Sequence, residues 1–263
     1  MRRACVVGAS RGLGLALAQH LARRGDAVVC AARTVTAALR ELERTFPHSV
    51  TVVQMDVTDA RSVAAAAQRA AGALTSPGRA AGLELMCHTA GLLQDKSRGV
   101  IPENSLQRVD PEAMAYSLAV NVVGPLMVLK HFAPLLKASD TETAASGETS
   151  QAPKATAVFY SARVGSIGDN ATGGWYSYRS SKAALNQVVR TASVELARHR
   201  VCCFALHPGT VDTDLTRAFS RARSKYVVQD VDEAAENHLA IIASRTMAHT
   251  GRFFDWRAEE VPW

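Results

Sequence analysis

Apolar residues along this chain follow two alternating patterns, short β-branched runs and longer stretches whose apolar positions recur three and four apart. Strand-like runs cover residues 3–7, 27–32, 50–55, 83–87, 156–161 and 201–206, with a last short one around Phe253. Helical spacing fills the intervals. Leu15, Leu17, Ala18 and Leu21 define a first helix, 36–46 a second that Pro47 closes, and Asp59 is placed to cap an alanine-rich third. Asp110 reads as an N-cap with Pro111 at the first helical position, opening a long apolar helix through Asn121 to about residue 136. Leu185, Val188, Val189, Ala192, Val194 and Leu196 mark another, and residues 232–247 a last one. Strands alternating with helices predict a parallel sheet covered on both faces: an α/β fold, a Rossmann-like doubly wound sheet, as a single domain over 1–263.

At 263 residues and 48% hydrophobic, the chain can bury a full core without division. Residues 137–154, rich in Ser, Thr, Glu and Ala without large apolar side chains, read as a flexible surface insertion. The formal charge of +6 allows attraction to phosphorylated ligands. Lys and Arg are nevertheless dispersed, with no basic stripe interleaved with aromatics, so no nucleic-acid partner is expected. Cys5, Cys30, Cys87, Cys202 and Cys203 sit in apolar runs without metal-site or disulfide spacing. They are expected to be buried thiols in a reducing compartment, and no metal is expected. No apolar run reaches the length of a membrane span, and the first strand begins almost at Met1, leaving no room for a signal peptide. These features predict a cytoplasmic protein with no membrane partner.

The first strand ends in Gly8-Ala9-Ser10-Arg11-Gly12-Leu13-Gly14 and passes into a helix. Glycines allow a tight turn and close approach of a pyrophosphate, and the helix start offers free N–H groups and partial positive charge. Gly8, Ser10, Gly12, Leu13 and Gly14 are therefore candidate dinucleotide ligands. The second strand ends in Ala32-Arg33, where folds selecting NAD carry an acid for the ribose hydroxyls. Arg33 and Arg11 suit a 2′-phosphate instead, which points to NADP(H). Asp56 and Val57 follow the third strand and can border an adenine, as would a plain turn. His88, at the end of the fourth, is read as a hydrogen-bonded structural histidine.

Tyr178 and Lys182 lie four apart at a helix start and share one face. A free phenol has a pKa of about 10, and a neighbouring cation favours the phenolate, producing an acid or base for carbonyl and hydroxyl chemistry. The pair alone would look the same on an exposed helix. Asn121, an amide within an apolar stripe, must find partners if it is buried.

In this order Gly8-x-x-x-Gly12-x-Gly14, Asp56-Val57, Ala90-Gly91, Asn121, Tyr178-x-x-x-Lys182 and Pro208-Gly209 with Thr213 resemble the single-domain short-chain dehydrogenases/reductases over nearly the whole chain. Gly165-Ser-Ile-Gly-Asp-Asn, Gly174-Trp-Tyr-Ser-Tyr-Arg and Gly251-Arg-Phe-Phe-Asp-Trp are similar to the C-factor/sniffer-type carbonyl reductases of that family. The resemblance implies Tyr178 as acid/base, Lys182 on the nicotinamide ribose, and Asn121 holding a water in a proton relay. It further implies that Ala90, Gly91, Pro208, Gly209, Val211 and Thr213 line the cofactor, in a homodimer or homotetramer. His88-Thr89 departs from the family's usual Asn-Asn. The family's substrate-orienting serine, three residues before a glycine, falls on Ala162. Ser161 is expected to take over its role through a bulge at the strand end, with Ser166 as understudy.

The activity so implied is hydride transfer between NADP(H) and a small carbonyl or alcohol substrate. Residues 94–105 and 214–226 are expected around that substrate, and the latter are expected to act as a lid. The alternative is a dinucleotide-binding signalling or regulatory protein with little or no turnover, favoured by Ala162.

Overall fold

The computed structural model describes residues 1–75, 80–139, 151–217 and 227–263. Its strands are β1 (Arg3–Val7), β2 (Ala27–Ala32), β3 (Val50–Gln54), β4 (Leu85–His88), β5 (Ala155–Tyr160), β6 (Val201–His207), β7 (Thr210–Val211), β8 (Val228–Gln229) and β9 (Phe253–Asp255). Seven of them form one sheet in the order β3-β2-β1-β4-β5-β6-β9, and every pairing in it is parallel. β7 and β8 pair separately beyond the end of β6. The strand order reverses at β1, which lies between β2 and β4, and ligands of open parallel sheets bind at such a reversal.

The helices are α1 (Gly12–Arg23), α2 (Ala37–Thr45), α3 (Ala60–Ala73), α4 (Pro111–Leu118), α5 (Gly124–Lys137), α6 (Tyr176–Leu196), α7 (Asp214–Arg217) and α8 (Val231–Ala243). Alternate residues of each strand point to opposite faces, dividing the core in two. Cys5, Val7 and Phe159 pack with Val63 of α3, Phe132 of α5 and Leu185 of α6. Ala4, Val6 and Val158 pack with Leu17 of α1, Leu39 of α2 and Leu239 of α8. The doubly wound single sheet read from the sequence is thus the fold observed.

Three expectations shift. Pairing of the fourth strand begins at Leu85 rather than residue 83, because the Leu83 N–H donates to Leu135 O at the end of α5. Asp110 caps α4 through Ala113 N (2.7 Å) with Pro111 first in the helix, as expected, but a π-turn over Ala119–Val123 interrupts the long helix and contains Asn121. Contrary to the sequence reading, Pro111–Lys137 is long and apolar enough by length and composition to cross a membrane. Here Val128, Phe132 and Leu136 are fully buried in the core beneath the sheet.

Of the expected insertion 137–154, residues 140–150 lie outside the described residues. Its flanks meet where Ser139 Oγ donates to Lys154 O (2.9 Å). At the N-terminal edge of the sheet Glu84 forms a buried pair with Arg3, accepting its backbone N–H at 2.6 Å and lying 3.3 Å from its guanidinium.

All five cysteines are free and buried. Burial pushes the thiols up, to about 12 for Cys30, Cys87 and Cys202. Since only the thiolate is nucleophilic, the folded chain is expected to leave Ellman's reagent unreacted at pH 8, whereas all five thiols react in denaturant. A count of the thiols released with and without urea checks this.

Candidate active site

The glycine turn after β1 is built by close backbone approach. Gly8 has φ 90°, and a Cβ there would stand 2.6 Å from Ala90 N; one on Gly14 would collide with the Gly8 carbonyl. Gly12, with φ 53°, lies against Thr213. Ser10 O accepts a hydrogen bond from Thr36 Oγ1 (3.0 Å), drawing the turn towards the β2–α2 connection that carries Arg33. Arg11 and Arg33 are exposed, and Arg11 Nη1 lies 3.5 Å from Asp214 Oδ2 of α7. Leu13 packs on the α1 side of the core. Asp56 turns its carboxylate onto Thr58 N and Oγ1 (2.9 and 2.7 Å), and Val57 packs where α5 begins, against Gly124.

At the end of β4 the chain continues through Ala90, whose N–H donates to Val7 O (3.0 Å), and Gly91. A Cβ on Gly91 would lie 3.3 Å from Lys182 Nζ and 3.4 Å from Asn121 Oδ1, so that three separate elements converge there. Asn121 is fully buried. Its Oδ1 accepts from Leu92 N (2.7 Å), and its Nδ2 donates to Leu92 O (2.7 Å) and Ser181 Oγ (2.9 Å). Ser181 Oγ in turn donates to the Tyr178 carbonyl (2.8 Å). The π-turn re-aims one residue of a helix and is a common feature of functional sites. The partners demanded by burying this amide are therefore the β4–α4 loop and the helix carrying Tyr178.

Lys182 is buried, donates from Nζ to Tyr160 O (2.9 Å), and places Nζ 5.8 Å from the Tyr178 ring centroid. Desolvation depresses its pKa from 10.5 to about 8. The same cause pushes the Tyr178 phenol above its ordinary value of 10.0, so burial outweighs the lowering expected from the neighbouring cation. Trp175 stands edge-on to Tyr178, with centroids 6.1 Å apart.

Ser161 does not take the aim expected of it. Its N–H continues the regular ladder to Leu206 O, without a bulge, and its buried hydroxyl donates to Asn186 Oδ1 of α6 (2.6 Å). Ala162 follows in extended backbone, so its methyl takes the opposite side of the strand. Ser166 Oγ donates to Trp263 O (3.3 Å) and accepts from Asp169 N (3.1 Å), so both serine hydroxyls are committed to structural partners. His88 is buried and stacks on Phe159 at 5.7 Å, but among the described residues its Nε2 finds no hydrogen-bond partner. Burial, followed by the charge of Lys182, lowers its pKa to about 3 and keeps it neutral.

The run after β6 closes the other side. Gly209 has φ 75°, and a side chain there would strike Gln229 and Trp256; Gln229 Nε2 donates to Pro208 O (2.9 Å). Val211 is buried and its carbonyl accepts from Thr213 N (2.8 Å), which leaves the Thr213 methyl against Gly12. Of the expected lid, Asp214–Arg217 is the short helix α7, and 218–226 lies outside the described residues.

Sequence reasoning missed Ser181, the Leu92 backbone, Glu103 and Arg179. Glu103, buried in the unpatterned 94–105 segment, caps α6 through Ser177 N (3.2 Å). A small residue and a backbone amide carry no pattern; an acid 74 positions from the residue it caps could be found only through tertiary contact.

Residues 2–224 match the short chain dehydrogenase family. The chain is 32% identical to a 1-hydroxy-2-glutathionyl-2-methyl-3-butene dehydrogenase of Rhodococcus sp. (strain AD45), over 96% of each protein. It superposes on the NADPH-bound carbonyl reductase from chicken fatty liver with TM-score 0.82 and 28% identity, covering 100% of this chain and 99% of that one. For the carbonyl reductase Sniffer of D. melanogaster the values are 0.83 and 25%, with complete coverage of both.

The depressed pKa of Lys182 links stability to pH. The folded chain releases this proton near pH 8 and the unfolded chain near 10.5, so the contribution is fully present above 10.5 and is lost as pH falls through about 8. Between these limits the stability of wild type relative to Lys182→Met is expected to rise with pH, and below them to be flat. Urea titrations of both proteins across that range check the slope; taking the difference cancels the opposite contribution of the buried thiols.

Proposed function

Because the chain belongs to the short-chain dehydrogenase family, we propose that it is a reductase using NADP(H) to convert a small aldehyde or ketone to its alcohol. The observation that carries this reading is the convergence at Gly91 of Lys182 Nζ and Asn121 Oδ1 beside Tyr178, at the open end of the parallel sheet. The Gly8, Gly12 and Gly14 turn fits a dinucleotide, since the close packing that only glycine allows at Gly8 and Gly14 sets the turn directly before the start of α1, whose free N–H groups suit a pyrophosphate. With the turn, Asp56, Val57, Ala90 and Gly91 would hold the adenosine half and pyrophosphate. Lys182 would hold the nicotinamide ribose, and Pro208, Gly209, Val211 and Thr213 the nicotinamide end. Bound there, a nicotinamide supplies or accepts the hydride.

The chain's own residues handle the proton. Tyr178 retains its proton at neutral pH and can pass it to a carbonyl oxygen as charge develops there; burial, which pushes the phenol above its ordinary value, makes it a weaker acid that depends on that developing charge and on the nearby ammonium of Lys182. Lys182, at about 8, remains mostly protonated at pH 7 and stays beside the ring through Tyr160 O. Asn121 retains a second Oδ1 lone pair to orient a relay water. Exposed Val123, Leu126 and Val194 on α5, α6 and the π-turn suit a homodimer or homotetramer, and the buried free thiols suit the cytoplasm. The second reading, a dinucleotide-binding regulatory protein with little turnover, draws on one feature: Ala162 offers a methyl where a hydroxyl would orient substrate.

NADPH is expected to bind at least about tenfold tighter than NADH, because one charge-assisted phosphate contact contributes roughly 1.5–3 kcal/mol. Fluorescence titrations of both cofactors on wild type and Arg33→Ala measure this, and equal affinities in wild type would refute NADP(H) selection.

In a carbonyl panel with NADPH, Tyr178→Phe should abolish turnover with cofactor affinity retained, and Ser161→Ala should keep kcat/KM. Ala162→Ser should raise it by supplying a donor of a kind whose loss elsewhere costs about 10²–10³ in kcat. Turnover surviving in Tyr178→Phe would move the acid to another residue, and absence of turnover in wild type and Ala162→Ser alike would favour the regulatory reading.

A further inference from the structure

The turn that delivers the chain into α6 is strained and clamped. Gly173, Gly174 and Trp175 have φ of 62°, 67° and 54° in succession, and the last of these carries a bulky side chain in the left-handed region. Such a conformation persists only where its surroundings over-determine it, and it concentrates at functional sites. Two charged residues supply the constraint. From α6, Arg179 donates to Gly174 O (2.9 Å), Val164 O (3.1 Å) and Thr172 Oγ1 (2.7 Å). From the β4–α4 loop, Glu103 accepts the Trp175 N–H at its carbonyl (2.5 Å). Its carboxylate accepts the Ser177 N–H (3.2 Å) and the Ser177 hydroxyl. Tyr178 is the residue between the two clamped positions.

Glu103 is only 4% exposed, and a carboxylate withdrawn from water is expensive unless it is met by donors and positive charge. The free N–H groups and partial charge at the start of α6 meet that need. The loop is pinned again at Leu92, whose N–H and carbonyl both bond Asn121. Its two fixed points are thus Asn121 and the turn of helix bearing Tyr178, and displacing Glu103 displaces the phenol relative to Asn121.

We propose that Glu103 is a positioning residue for Tyr178: its buried carboxylate, bonded to the backbone and hydroxyl of Ser177, fixes the first turn of α6 and the direction of the phenol. The inference rests on the role of Tyr178 proposed above, and its test has one arm that needs no turnover.

Glu103→Ala, Glu103→Gln and Glu84→Gln are compared with wild type. The last removes a buried charge at the opposite edge of the sheet and serves as a stability control. Hydrogen exchange at the amides of 175–178 should accelerate at least about tenfold in Glu103→Ala and stay unchanged in Glu84→Gln. In the same Glu103→Ala protein kcat should fall about 10–100-fold, the order of a misplacement of 1 Å, while NADPH affinity is retained. Glu103→Gln, whose amide oxygen still accepts from Ser177 N, should recover most of that loss. Unchanged exchange in Glu103→Ala, or a fall in kcat no larger than that of Glu84→Gln, would overturn the proposal. Accelerated exchange in an enzyme whose wild type reduces no carbonyl would overturn the proposed reaction and leave the clamp standing.

Discussion

The site depends on one buried amide. Asn121 spends both of its Nδ2 donors and one Oδ1 lone pair on Leu92 and Ser181, tying the β4–α4 loop and α6 to the π-turn that presents it. Leaving such a group unpaired costs about 1–3 kcal/mol, so the three elements are held in one arrangement or the core carries the penalty. Ser181 passes the constraint to the carbonyl of Tyr178, and Lys182, one residue further, meets the group at Gly91. The relative placement of the amide, Lys182 and the backbone of Tyr178 is thus tied to satisfying this one side chain.

A second constraint is steric. Gly8 against Ala90 and Gly14 against the Gly8 carbonyl are places where backbone comes closer than a Cβ permits, and Gly12 against Thr213 and Gly91 against Lys182 are places where one would fit only tightly. They bring the ends of β1, β4 and β6 together at the point where the strand order reverses. Glycine is destabilising inside regular elements, and its placement here serves that meeting point more than the sheet.

Burial sets the electrostatics. It raises Tyr178, lowers Lys182 and keeps His88 neutral, each against or beyond what the adjacent charge alone would do. Desolvation of both members of a pair favours their neutral forms, and a nearby cation does not automatically produce a phenolate. At neutral pH the phenol is therefore protonated and the amine mostly charged.

The layered parallel sheet, the helix starts at Asp59 and Asp110 and the buried thiols were legible along the chain, because each has a local signature in period, cap chemistry or residue type; Gly91 and the role of Asn121 were reached only through the family resemblance, and the folded chain brings Gly91, Asn121 and Lys182 together. Tertiary structure decided the rest. Ser161 faces Asn186 because the β5–β6 ladder runs on without a bulge, and a one-residue change of face cannot be read from composition at a strand end. The π-turn is invisible to a periodicity analysis that counts Asn121 within a continuous stripe. Whether Tyr178 would be raised or lowered depended on how much water surrounds it, and Glu103 could be connected to α6 only once the loop carrying it was folded across the helix start. Periodicity and capping are properties of neighbours along the chain, whereas the direction of a hydroxyl, the solvation of a phenol and the partner of a buried carboxylate are set by residues distant in sequence.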